Sequence, residues 1–160
     1  MTTLEDLRVL DLSDSIAGAY ATKLFAGYGA DVIAIELPSG NPLRQTAAWD
    51  GLGANKRSVT LDIETATGRR LFRKMVEQAN VVVETFAPGR MEALRLAFAD
   101  LYGIKRRIIL LSITPEAGDE VSQKHAGLNA FAAAAVAAHN ADAYEVPQHI
   151  QISVAECASA

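Results

Sequence analysis

The sequence predicts an α/β fold built on a doubly wound, mostly parallel sheet with helices on both faces, and three observations carry that expectation. Short apolar runs recur along the chain, and helical or turn-rich stretches separate them. Strands that alternate with helices are joined by crossovers and therefore lie parallel. Two of the runs, NVVVETF and IILLSI, are apolar without a break, as expected for strands buried on both faces. Half of the 160 residues are hydrophobic and 21% are charged, which suits one core of ordinary domain size and is too apolar for a disordered chain. Residues 1–160 are accordingly expected to form one domain.

Leu7–Leu12 reads as the first strand. Asp14 and Ser15 follow as a cap, and Ala17, Tyr20, Ala21, Leu24, Phe25 and Tyr28 then recur on one face of a helix that Gly29 ends. Asp31–Leu37 is the next strand, closed by Pro38, Ser39 and Gly40. The Gly, Pro and Asn content from Pro38 to Asn55 predicts a loop. Ser58–Ile63 reads as the third strand, Thr65–Ala79 as a helix, and Asn80–Phe86 as the fourth strand. Pro88–Leu96 reads as a short helix with proline near its start. Ile108–Ile113 is the fifth strand and Thr114–Gln123 a polar loop. Ala126–His139 is an alanine-rich helix whose small side chains suit close packing. Residues 140–148 read as a loop, and His149–Val154 as a last strand that leads into a helix start.

Composition narrows the function classes. The formal net charge is −4 and the basic residues fall in short clusters, so no nucleic-acid-binding arm is expected. One cysteine, Cys157, excludes a disulfide framework and a cysteine zinc site. His125, His139 and His149 are too scattered to predict a metal site, and a structural role is expected of each. No apolar run is long enough for a membrane span. Met1–Arg8 is acidic and polar, so no secretory leader is expected and the cytoplasm is the expected compartment.

Local motifs are weak on their own. The turn after the first strand, DLSDSIAG, has neither a dinucleotide-binding glycine pattern nor a Walker lysine. It stands where anions bind in such sheets, so Ser13, Ser15 and Gly18 are candidate phosphate contacts, with helix capping as the plainer reading. Asn55-Lys56-Arg57 offers two adjacent cations to a phosphate or carboxylate, with surface charge alone as the plainer reading. Cys157 has no basic neighbour to activate it, and Ser153 lacks the context of a nucleophile elbow.

Taken in order, four segments resemble the family III CoA-transferases: LRVLDLSDSIAGAYATKLFAGYGADVIAIELPSG, NKRSVTLDIETATGRRLFRKMVEQANVVVETFAPGRMEAL, IILLSIT and AGLNAFAAAAVAAHNADAYEVPQHIQISVAE. The resemblance implies a Rossmann-like large domain, whose chain in relatives continues to a small domain and returns; both are expected to be missing here. It implies CoA or acyl-CoA as substrate, with no permanently bound cofactor and no metal. It further implies a homo-oligomer or a partner chain, and neither nucleic acid nor membrane as partner.

In transferase relatives an aspartate attacks the acyl-CoA thioester and carries the acyl group as an anhydride. Aligned on Gly127, that place is held here by Gln123, whose amide cannot form the anhydride. Asp119 and Glu120 are the nearby carboxylates. A racemase of the same family would need a histidine with a carboxylate partner, which His125 lacks in the sequence. For CoA, the resemblance implies Ser15, Ile16 and Ala17 at the nucleotide turn and Leu61 and Phe86 as apolar contacts. Leu37, Glu64 and Ala93 stand at places that are commonly basic, and Thr85 at an asparagine. Arg90 and Arg95 are the cations left to compensate. The expected function is therefore CoA transfer between carboxylic acids, impaired at Gln123, with a non-catalytic pseudoenzyme or partner subunit as the alternative.

Overall fold

The computed structural model describes residues 3–114 and 119–158. Its elements are β1 (Arg8–Asp11), α1 (Ile16–Gly27), β2 (Asp31–Glu36), a 3-10 turn (Pro42–Gln45), α2 (Trp49–Leu52), β3 (Arg57–Thr60) and α3 (Ala66–Val76). There follow β4 (Val81–Glu84), α4 (Arg90–Ala93), α5 (Phe98–Ile104), β5 (Ile109–Thr114), α6 (Glu120–Tyr144), β6 (Gln148–Ser153) and α7 (Val154–Ala158). The six strands form one sheet in the order β3-β2-β1-β4-β5-β6, and every neighbouring pair is parallel. The strand order reverses between β1 and β4, which is where ligands bind in open α/β sheets.

Alternation within the strands divides the core into two layers. Val9, Val81, Val83, Ile109 and Leu111 face α1 and α6. Leu10, Val82 and Leu110 face the other way, onto Phe72 and Val76 of α3 and Leu101 of α5. The two helices of the first layer pack backbone to backbone. A β-carbon at Gly127 would stand 2.5 Å from the Ala17 carbonyl oxygen, so only glycine fits that crossing. Phe131 of α6 meets the Phe25 ring edge-on at 4.9 Å and stacks on Tyr28.

Three elements differ from the sequence expectation. The expected loop Thr114–Gln123 gives way to helix at Glu120, because Asp119 caps α6 by accepting the Ser122 N–H at 2.8 Å. Residues 115–118 of that loop lie outside the described residues. At its other end α6 runs past His139 to Tyr144, since no breaker precedes the left-handed Glu145 and Pro147. Phe98–Ile104 is an additional helix, begun where the Asp100 carboxylate accepts the Ala97 N–H at 3.0 Å. The expected loop over 38–55 also holds two short turns of helix.

Candidate functional site

The carboxyl ends of the strands carry a row of buried acids. Asp11, the last residue of β1, is 4% exposed and accepts hydrogen bonds from the Ser13 N–H and hydroxyl, from Thr22 Oγ1 at 2.6 Å and from Lys56 Nζ at 3.0 Å. Lys56 also donates to the Ala19 carbonyl, and both members of the ion pair have almost no exposed side chain. Glu36, the last residue of β2, accepts from Arg44 Nε at 2.6 Å and Nη2 at 2.7 Å and from the Asn41 N–H. Those Arg44 bonds hold the Glu36 carboxyl below its ordinary value; burial opposes them, and the Asn41 N–H assists.

At the switch point the two loops are stitched together. Thr85 Oγ1 accepts the Asp14 N–H at 3.0 Å and donates to Asp14 Oδ1 at 2.8 Å. A β-carbon at Gly18 would stand 2.3 Å from Ser13 Cβ and 2.6 Å from Thr85 Cγ2, so glycine lets α1 start directly beneath this crossing. Beside it a cavity of about 130 Å³ opens over the ends of β1 to β3. Leu12, Ile35, Leu61, Ile63 and Phe86 make it apolar, and Asp14, Glu36, Asn41 and Arg90 give it polar edges.

The structure places Leu61, Phe86 and Arg90 together in the lining of this cavity, with Leu37 also in the lining. Arg90 lies over the Phe86 ring at 4.9 Å, and its Nη2 donates to Glu64 Oε1 at 2.6 Å. Ser15, Ile16 and Ala17 are not part of the cavity lining. Ser15 caps α1 by accepting the Gly18 N–H, Ile16 packs with Leu43 and Leu52, and Ala17 is buried against α6.

Several candidate anion contacts are already engaged. The Ser13 hydroxyl is committed to Asp11, and Lys56 is buried with it. Arg57 makes two bonds to Asp31, at 2.9 and 2.7 Å. Adjacent cations in the sequence are thus split between two acids rather than aimed at one ligand. Arg95 borders the basic outer face of α3 instead of the cavity, and its carbonyl accepts from Arg73.

A model of CoA-transferase family III matches residues 4–160. The chain belongs to that family. It is 33% identical over 121 residues to a succinyl-CoA–D-citramalate CoA-transferase of Chloroflexus aurantiacus, covering 69% of this chain and 30% of that enzyme. It is 40% identical over 114 residues to a succinyl-CoA:mesaconate CoA-transferase of Haloarcula hispanica, covering 63% and 29%. A CAIB/BAIF family protein from Brucella suis shares the fold with a TM-score of 0.89 at 25% identity, over 99% of this chain and 55% of that one. The family III match thus spans about three tenths of the curated relatives and about half of the solved one.

Within this family III chain, Gln123 lies in the first turn of α6, where its N–H donates to the Asp119 carbonyl, and it lines neither of the two cavities over the strand ends. The neighbouring acids are engaged. Ser122, through side chain and backbone, holds the Asp119 carboxyl below its usual range, and Glu120 pairs with Lys124 at 2.6 Å. His125 and His139 are exposed on α6, and the described residues hold no group of three or more potential metal ligands. Asn129 Nδ2 donates to Cys157 Sγ.

Sequence reasoning missed a second constellation, over β4 to β6. Register places Glu84 beside Ser112, and His149 two residues before Ser112's partner Gln151. Burial pushes the Glu84 carboxyl up, while hydrogen bonds from Ser112 and the Phe86 N–H pull the other way. Ser112 Oγ lies 2.9 Å from His149 Nε2, and the imidazole stacks on Phe98 at 5.6 Å. The only signal in the sequence was a glutamate closing an otherwise apolar strand.

Proposed function

We propose that this chain binds CoA or an acyl-CoA at the β1–β3 side of the strand ends, as a substrate and not as a resident cofactor. The observation that carries the reading is the meeting of Leu61, Phe86 and Arg90 in one cavity. At about 130 Å³ the cavity takes one ring-sized part of the molecule, and the rest lies along the open edge. Phe86 and Leu61 supply apolar contact, and Arg90 is the cation at hand for a phosphate once Glu64 releases it.

The reaction class is CoA transfer between carboxylic acids, impaired in this chain. A carboxylate oxygen attacks the thioester carbonyl, the CoA thiolate leaves, and an acyl anhydride remains on the side chain. Gln123 presents an amide at the position proposed for that carboxylate, and an amide does not carry the acyl group onward.

Calorimetric titration of CoA tests the binding half. Saturable binding is expected, weakened about tenfold or more in Arg90→Ala, because a charge-assisted hydrogen bond contributes ~1.5–3 kcal/mol. A flat titration with protein that melts cooperatively overturns the reading. The chemical half is tested in Gln123→Asp with succinyl-CoA, the donor named for several relatives. A covalent mass increase on the peptide holding residue 123 is expected, and its absence overturns the placement of the catalytic position.

A second reading is a non-catalytic partner subunit that acts through association with another chain or a second copy. Val121, Leu128 and Val136 favour it, as apolar side chains about half exposed or more on α6. So does the occurrence of alpha and beta subunits among relatives, both named succinyl-CoA–L-malate CoA-transferase in Chloroflexus aurantiacus. Sedimentation of the wild type against Leu128→Lys distinguishes this case: association lost in the variant supports it, and a monomer in both overturns self-association.

A further inference from the structure

Three acids are buried at the strand ends, and they are not treated alike. Asp11 has Lys56, and Glu36 has Arg44. Glu84 is just as buried, at 6% exposure, yet among the described residues no lysine or arginine pairs with it. A carboxylate withdrawn from water needs an opposite charge or a proton. Ser112 and the Phe86 N–H give Glu84 hydrogen bonds, and His149, reached through Ser112, attracts its charge indirectly.

The space beside Glu84 is open. A cavity of about 140 Å³ is bounded by Glu84, Glu92, Ser112, Thr114, His149 and Gln151, with Met91 and Phe98 as apolar walls. Among the described residues no lysine or arginine lines it. An anion entering would meet two carboxyl groups, and a neutral molecule would leave Glu84 with only the indirect attraction of His149. A cation matches the charge of Glu84.

We propose that this cavity binds a small alkylammonium ion, whose –NH3+ group stands to Glu84 as Lys56 stands to Asp11. Its three N–H donors fit an acceptor-rich floor, where Ser112, Thr114 and Gln151 supply oxygen acceptors besides the carboxylates. The alkyl part lies against Met91 and Phe98.

Binding ionises whatever fraction of Glu84 is protonated, and that proton passes to the solvent. The other titratable groups facing Glu84 are His149 on β6, reached through Ser112, and Glu92 on α4. Affinity therefore rises with pH as Glu84 gives up its proton.

The test is calorimetric titration of n-butylammonium chloride into the full chain, in two buffers of different protonation enthalpy, against sodium chloride at equal ionic strength. The expected result is saturable binding with net proton release, weakened at least tenfold in Glu84→Gln, with no saturable heat from n-butanol or sodium butyrate. Glu92→Gln, at an exposed position, is the second variant and is expected to weaken binding several-fold even if Glu84→Gln does not fold. Absence of saturable butylammonium binding, equal binding by both variants, or equal binding of butyrate overturns the proposal.

Discussion

At the ends of β1 and β2, each buried acid faces a cation from the long connection between β2 and β3: Arg44 for Glu36 and Lys56 for Asp11. At the end of β4, Glu84 faces a serine, a histidine and a cavity. The connections explain the difference. The segment from 38 to 56 crosses over the strand ends and carries its cations inward, as ties that hold it down. The passage from β4 to β5 contains two short helices, and along it Arg90 bonds Glu64 and Arg106 the Tyr102 hydroxyl. On one half of the edge each buried acid therefore has a direct ion pair, and on the other Glu84 has only the indirect attraction of His149.

The largest expected effect is on the ion-paired half. Lys56→Ala leaves Asp11 buried without its partner, and unfolding in urea should show a loss of about 3–5 kcal/mol. A loss under 1 kcal/mol would mean that the 38–56 segment is not held down by this pair. Glu84→Gln should cost far less at neutral pH, because the amide keeps an acceptor for the Phe86 N–H and removes a poorly compensated charge.

Dependence on pH sharpens the contrast, because the two acids shift in opposite directions. Glu36 sits below its ordinary value of 4.5, so its stabilising contribution is complete above 4.5 and is lost as pH falls through the folded value. Glu84 sits above 4.5, so the native state keeps a proton that the unfolded chain has released, and stability falls as pH climbs from 4.5 through the raised value. Urea midpoints from about pH 2 to about pH 8 should lose the acid-side slope in Glu36→Gln and the upper slope in Glu84→Gln. The Glu36 variant should also lose about 1–3 kcal/mol at neutral pH. Slopes unchanged in both variants would remove the electrostatic distinction between the halves.

The smallest effect concerns the exposed pair at the cavity rim. Glu64→Gln frees Arg90 from a surface ion pair worth ~0–1 kcal/mol, so stability should hardly change while CoA binds more tightly by up to about fivefold. Weaker CoA binding in this variant would place Glu64 among the ligand contacts instead of against them.

Much of the fold was legible in the chain. The unbroken apolar runs of β4 and β5 mark strands covered on both faces, and the spacing from Ala17 to Tyr28 marks the buried face of α1. The start of α6 was hidden because EVSQKH is polar, and its helicity depends on the Asp119 cap rather than on an apolar face. Phe98–Ile104 was hidden for a related reason, since seven residues are too few to show a helical period. At the site, Leu61 and Phe86 were named only through the family motifs, and Ser15, Ile16 and Ala17 lie outside the cavity lining, as a cap and its packing.

The order of residues alone determined the alternation of strands and helices, the parallel sheet and the family, because each rests on local periodicity or on contiguous motifs. Only the tertiary structure decided which acids receive a cation. Asp11 and Lys56 are 45 positions apart, and Glu84, Ser112 and His149 lie on three strands. Their meeting depends on strand order, register and the path of one long connection. Charge compensation acts across a few ångströms of space whatever the distance along the chain, so it appears only once the sheet has formed.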